Sequence, residues 1–451
     1  MTDQNLDHSP VAKAGLLQRL LRRGAVRPLI ILAARVFGAV LGLVLSLMMA
    51  RVMGAHEMGR ALTAMSLAMI LPILASGSCE IGASRFITQA LFRHETARAA
   101  GFIGMNWQVA AICIPLVIAI GLTGIMLTMP AGHDRLALGI AIVSGALMGL
   151  LRIGSAHAMG FSRVIVATLP GTFLRPLMLV LFLGLYVLVS ATPPTAPVVL
   201  ACFFLSAVVN LGLQQALLAP EYRRLADAGR DMSESRSWIS YGLQMGATML
   251  FIEYSKEITV LFSSLSLQPT DIARLSVALS FVGFARFAVI AVNQSITPDL
   301  SRSIAANDNG RLLDIVDRSS LMKITAALAG LVLFTLFGRQ LLGLYDDEFA
   351  KAWWLLPVLM VDPLCLAVLG PSSNVLSLTG QQRVLMLVAL VMVPVLAGLV
   401  FLGGKLAGLP GAATGATIGW VSFYGILSWL VWRERGVNLT LPGTLARRFA
   451  R

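Results

Sequence analysis

Four cationic residues stand inside long apolar stretches of the chain: Arg35 in PLIILAARVFGAVLGLVL, Arg175 in LPGTFLRPLMLVLF, Lys256 in FIEYSKEITVLF and Arg286 in SFVGFARFAVIA. A guanidinium does not deprotonate in a protein, and a cation at the centre of a membrane helix costs about 2.5 to 3.5 kcal/mol on insertion scales. Several of them in segments rich in Leu, Val and Ile therefore call for compensation or use. Spread in depth from one face to the other, they form a ladder suited to an anionic group in transit. Arginine grips phosphate oxygens bidentately, and lysine acts as a point charge. Three carboxylates share these segments: Glu253, Glu257 and Asp362. Glu253, Lys256 and Glu257 lie at i, i+3 and i+4 on one helix face and are spaced to pair locally. Asp362 is placed to pair with an arginine across a central cavity. The same three carboxylates are the candidates for ion coupling. The competing reading is of purely structural ion pairs. It applies least to Arg175 and Arg286, whose own segments carry no carboxylate. Arg35, near one interface, has the further alternative of snorkelling to the surface. Asn106, Gln108, Gln244, Asn293 and Gln294 add uncharged groups suited to helix–helix contacts.

The elements that must position these groups follow from composition. Of 451 residues, 57% are hydrophobic and 13% charged, with mean hydropathy +0.81, whereas a soluble domain carries about 25% charged residues. The expected class is an all-α polytopic membrane protein. Cutting at Pro, Gly and charge clusters gives twelve apolar segments, near 28–52, 61–81, 102–129, 136–158, 164–190, 196–219, 238–262, 272–298, 321–345, 352–379, 384–404 and 409–432. Assigned loop by loop, 24 Lys and Arg residues fall on the side of the termini, seven on the opposite side and four within segments. By the positive-inside rule both termini face the cytoplasm. The region before the first segment is long and polar and has no AxA cleavage site, so no removed leader is expected. Within it, Leu16, Leu17, Leu20 and Leu21 with Arg19, Arg22 and Arg23 pattern a short basic amphipathic helix for an anionic leaflet, or an ordinary topogenic flank.

A weak internal repeat organises the twelve segments. Arg60 of HEMGRALTAMSL corresponds to Arg274 of TDIARLSVALSF, Ser84 and Arg85 to Ser301 and Arg302, GFSRV (160–164) to GQQRV (380–384), and Pro176 to Pro394. These offsets place two six-helix bundles in parallel orientation around a central cavity. The expected organisation is a basic cytoplasmic segment (1–27), a first bundle (28–219), a linker (220–237), a second bundle (238–432) and a basic tail (433–451). Prolines 72, 115, 170, 176, 357, 363 and 394 fall within segments and predict kinks. Those directly after Arg175 and Asp362 suggest that the two charges line a cavity.

Several classes are excluded. There is no phosphate-binding loop, no dinucleotide fingerprint and no HExxH motif, so ATP hydrolysis by the chain is not expected. Cys79, Cys113, Cys202 and Cys365 and the five histidines lack ligand spacing, so no disulfide, metal or other cofactor is implied. The basic loops are short and lack interleaved aromatics, which argues against nucleic acid.

ARVFGAVLGLVLSLMMARVMGAHEMGRALTAMSL (34–67) resembles the opening of the oligosaccharide and polysaccharide flippases, and FGRQLLGLYDDEFAKAWWLLPVL (337–359) with LTGQQRV (378–384) resembles their second half. The resemblance spans nearly the whole chain and points to the multidrug/oligosaccharidyl-lipid/polysaccharide (MOP) exporter superfamily. It implies a cavity alternately open to each side. It also implies a polyprenyl-diphosphate-linked oligosaccharide moved from the inner to the outer leaflet of a bacterial inner membrane, with a polysaccharide polymerase and glycosyltransferases as partners. Arg35, Arg175, Lys256 and Arg286 are then the substrate-binding cations. The alternatives are a cation-coupled multidrug extruder of the same superfamily, which would want an acidic cavity, and a non-transporting subunit of a polysaccharide export complex. A major-facilitator carrier is disfavoured, because ASRFITQALFRHETARAAG lacks that family's loop pattern.

Overall fold

The computed structural model describes residues 26–306, 308–436 and 438–443, with side chains described from Ala33 onward except those of Arg35 and Arg435. The expected basic helix near Arg19 and the end of the tail lie outside the described residues. Among the described residues the chain is helical and contains no strand.

The first helix, α1 (Val26–Ala75), would be about 75 Å long if straight, more than twice the roughly 30 Å hydrocarbon core. It is two helices end to end. Gly54, at φ 74° and ψ 166°, breaks it between the expected segments 28–52 and 61–81, in a conformation that glycine adopts without steric penalty. A 3₁₀ turn (Cys79–Gly82) leads to α2 (Ala83–Phe92), α3 (Thr96–Thr128) and α4 (His133–Gly160). Next come α5 (Val164–Leu169), a π turn (Pro170–Leu174), α6 (Arg175–Val189) and α7 (Ala196–Ala226). The second half contains α8 (Ser235–Ser263), α9 (Pro269–Ala305), α10 (Asn309–Gly343), α11 (Asp347–Ala350) and a broken run, α12 (Leu355–Leu359), α13 (Val361–Val368) and α14 (Ser372–Leu378). The last helix, α15 (Gln382–Arg435), is broken at Ala407 and Gly408, between the expected segments 384–404 and 409–432.

Both breaks fall at glycines with positive φ, while Pro72 and Pro394 stay inside continuous helix. A lone proline forfeits one helical hydrogen bond, but a left-handed residue reverses the local path of the chain. Among the described residues, eight helices are long and apolar enough to cross a membrane, or nine if the run from Leu355 to Leu378, bent by 43°, counts as one span. α8 falls outside that set, because Gln244, Glu253, Lys256 and Glu257 lower its hydropathy.

Within the first half, α4 packs on α1 and α7 through small residues, with Gly145 and Gly149 against the backbone at Ala68 and Ala75. Close approach of this kind is how apolar helices gain dispersion contacts where no water drives association. In the second half α8 packs on α15, and α9 on α10. α1 joins the halves through α8 and α9. The equivalence of Arg60 and Arg274 extends to their surroundings. Arg60 pairs with Glu57 and Asp134, and Arg274 with Asp271 and Glu348. All three positions are 214 residues apart.

Two boundaries differ from expectation. The non-helical linker covers only 227–234, because α7 continues through Pro220 to a last turn in which Arg223 and Arg224 complement the helix dipole. Arg152 and Lys323, tallied with the loops although the expected segments 136–158 and 321–345 include them, lie within α4 and α10.

Candidate functional site

A cavity of about 840 Å³ lies where α1 meets α8 and α9, closed on a third side by the π turn and the start of α6. Arg175, Glu253, Lys256 and Glu257 all line it.

The local sequence explains how Arg175 reaches this place. Pro170 and Pro176 bracket the segment, and Pro176 has no N–H to give the carbonyl of Thr172 four residues back. The backbone widens into a π turn in which the Arg175 N–H donates to Pro170 O. The Thr172 carbonyl instead faces Gly38 of α1, so close that a Cβ there would sit 1.8 Å from the oxygen. Glycine at 38 is therefore what lets α1 lie against the turn and Arg175 face the cavity. Among the described residues the Arg175 guanidinium makes one weak hydrogen bond, Nη1 to the sulfur of Met69 at 3.4 Å. Its remaining donors are available to a ligand.

Lys256 does not pair with its helix neighbours. Its ammonium donates across to Ser280 Oγ of α9 at 3.0 Å, and Ser280 in turn donates to Ser276 O at 2.8 Å. The i, i+3, i+4 spacing with Glu253 and Glu257 is real, but a better-directed hydroxyl on the neighbouring helix takes the lysine. Glu253 is engaged from the other side, by Arg152 Nη1 at 3.4 Å.

Arg286 is separated from this group. It lies inside the second half, donating to Tyr424 Oη at 2.9 Å, Ser255 Oγ at 3.3 Å and Ile252 O at 3.4 Å, with Asp362 Oδ2 3.6 Å from its Nε. Asp362 thus pairs with an arginine, but within the second half and not across the cavity. The expected ladder of four splits: Arg175 and Lys256 face the cavity, Arg286 does not, and the Arg35 side chain lies outside the described residues.

A charged cluster that the sequence reading passed over borders the cavity. Arg152 of α4 meets Glu80 Oε1 of the 3₁₀ turn at 2.5 Å, donates to Tyr254 Oη of α8 at 2.8 Å, and also reaches Glu253. Glu80 is 2% exposed. A carboxylate in SGSCEIGAS at the end of an apolar segment was the available signal. Elsewhere the halves touch at Ser46 Oγ with Tyr345 Oη (2.8 Å) and at Arg51 Nη2 with Leu344 O (2.6 Å).

Beside the cavity, Val36 and Val40 of α1 and Gly283 and Phe284 of α9 frame an apolar groove of about 290 Å³ that shares Ala39, Ser280 and Phe287 with the cavity wall. The charged interior is therefore contiguous with a greasy cleft between two helices. Among the described residues no cluster of His, Cys, Asp and Glu has the arrangement to hold a metal ion.

The sequence matches no family model and no curated protein. Solved structures do match along almost the whole chain. A multidrug resistance transporter of the MATE family and MOP superfamily, in an inward-facing conformation, superposes with a TM-score of 0.74 at 14% identity, covering 88% of this chain and 94% of that one. The lipid II flippase MurJ, in an inward closed conformation, superposes with a TM-score of 0.68 at 12% identity, covering 89% and 87%. This chain shares the fold of these two structures. It is a multi-pass membrane fold, and the solved structures that share it are transporters and a flippase. The cavity occupies the junction of the two halves, with Arg175 and Lys256 in its wall.

Proposed function

We propose that the protein is a flippase that carries a polyprenyl-diphosphate-linked oligosaccharide from the inner to the outer leaflet of a bacterial cytoplasmic membrane by alternating access. The observation that carries this reading is the continuity of a cavity holding Arg175 and Lys256 with the apolar groove between α1 and α9. A substrate with a diphosphate and a long isoprenoid tail needs both at once. The cations meet the phosphate oxygens in a partly dehydrated space, where charge-assisted hydrogen bonds are strongest. The groove lets the tail stay in the bilayer.

In this reading α1 and α15 each supply two spans, which with the intervening helices makes twelve in two parallel six-helix bundles. The sequence tally of 24 cations against seven supports cytoplasmic termini in this reading. Glycosyltransferases that build the lipid-linked unit and a polymerase that consumes it are the partners such a step requires.

A second reading, export of organic cations, is favoured by Glu253 and Glu257, which face the same cavity. The two are separated by exchanging charges in cells. Arg175→Ala should abolish surface polysaccharide with membrane insertion intact, and Glu253→Gln with Glu257→Gln should leave it. Loss of drug resistance with the second pair and intact polysaccharide with the first would establish the cation exporter instead.

A further inference from the structure

A second pocket, of about 320 Å³, lies where the beginning of α3 meets the end of α7, and shares no lining residue with the central cavity. Its polar lining is Gln215, Tyr222 and Arg230, with Trp107 beside them and no carboxylate.

Each polar group is left with hydrogen-bonding capacity unused. The His157 imidazole stands between Asn106 and Tyr222, with Asn106 Nδ2 3.0 Å from Nε2 and Tyr222 Oη 3.1 Å from Nδ1. The Tyr222 hydroxyl makes no other hydrogen bond among the described residues and keeps bonding capacity toward the pocket. The Gln215 amide nitrogen is buried with no hydrogen-bond partner. Arg230 forms no ion pair among the described residues, although it stands on the linker beside Asp231. That carboxylate accepts instead from the Ser233 N–H at 3.0 Å, a bond that holds it below its ordinary value. The pocket is shaped for the guanidinium: Arg230 Cδ, Nε and Cζ come 3.2, 3.4 and 3.5 Å from where a Cβ at Gly104 would stand.

Donors without acceptors, in a dent between two membrane helices, define the ligand by exclusion. We propose that this pocket binds a phosphate-type oxyanion, supplied either by the headgroup of an anionic phospholipid or by free phosphate. The site is independent of the transport reading. Because Asp231 N–H also donates to Ala97 O of α3 at 3.0 Å, an occupant holding Arg230 would fasten the linker between the halves to the first half.

The test uses the purified full-length protein in zwitterionic detergent. Inorganic phosphate is titrated by calorimetry, and in parallel the protein is passed through mixed phosphatidylglycerol and phosphatidylcholine micelles and weighed by native mass spectrometry. The wild type should bind phosphate, which assigns the free anion, or retain phosphatidylglycerol over phosphatidylcholine, which assigns the headgroup. In either case Arg230→Gln and Tyr222→Phe should each weaken binding about tenfold or more, and Gly104→Leu should fill the pocket and abolish it. Arg223→Gln, at an exposed position outside the pocket, should have no effect. Arg230 is also exposed, so its variant should melt like the wild type and any loss of binding is local. No binding of either probe by the wild type, or equal binding by wild type, Arg230→Gln, Tyr222→Phe and Gly104→Leu, would overturn the proposal.

Discussion

Asp362→Asn should be among the most damaging near-isosteric changes in the protein, because it keeps the shape of the side chain and removes the charge that faces Arg286. The Nε to Oδ2 separation is 3.6 Å and the aspartate is 2% exposed. At an effective dielectric of about 20, unit charges at that distance attract by roughly 5 kcal/mol. Breaking a buried pair by removing one partner costs about 3 to 5 kcal/mol, since the other charge is left uncompensated. Tyr424 and Ser255 remain on the guanidinium and keep the loss within that range. The double variant Arg286→Met/Asp362→Leu removes both charges, so its stability should return to within about 2 kcal/mol of the wild type. Unfolding by SDS titration in mixed micelles measures the wild type, Asp362→Asn, the double variant and its two component single variants, Arg286→Met and Asp362→Leu, on one scale. If the double variant is as unstable as the sum of the two single changes, the pair is not acting as mutually compensating charge and the reasoning fails. Export of polysaccharide by the double variant would further separate this internal pair from the cavity cations.

Gly38→Ala should destabilise the protein by about 1 to 3 kcal/mol, because the new Cβ meets Thr172 O, whereas Gly42→Ala, with nothing within 4 Å, should be neutral in the same titration. Arg152→Gln leaves Glu80 buried without its cation and should cost about 3 to 5 kcal/mol, much of it recovered by adding Glu80→Gln. Lys256→Met should weaken binding of a diphosphate about tenfold or more while leaving stability nearly unchanged, since the ammonium's only hydrogen bond among the described residues is to Ser280. Equal losses of binding and stability would place the lysine in the scaffold.

The architecture was legible where physical chemistry leaves little choice. Apolar runs bounded by Gly, Pro and charge located the helices, and the breaks in α1 and α15 fall between segments that the sequence already separates. Pro170 and Pro176 announced the irregularity before Arg175, although a π turn opposed by Gly38 could not be read from one helix alone. The site was less legible, because side-chain partners are chosen across helices. Spacing offered Lys256 two carboxylates on its own face, and the fold gave it Ser280. Depth suggested that Arg286 belonged with Arg175, but depth says nothing about which way a helix is turned. Arg152 and Lys323 were counted with the loops because they stand near the ends of apolar runs, where sequence alone does not decide between a loop and a buried turn.

The central claim is that Arg175 and Lys256 meet a diphosphate. The most direct measurement is the equilibrium binding of a short-chain, water-soluble prenyl diphosphate to the purified protein, by thermophoresis, against the corresponding prenol and an organic cation. The account predicts that the diphosphate binds, that the prenol and the cation do not compete, and that Arg175→Ala weakens binding about tenfold or more. Tight binding of the organic cation that is lost in Glu253→Gln/Glu257→Gln, with no binding of the diphosphate, would contradict it.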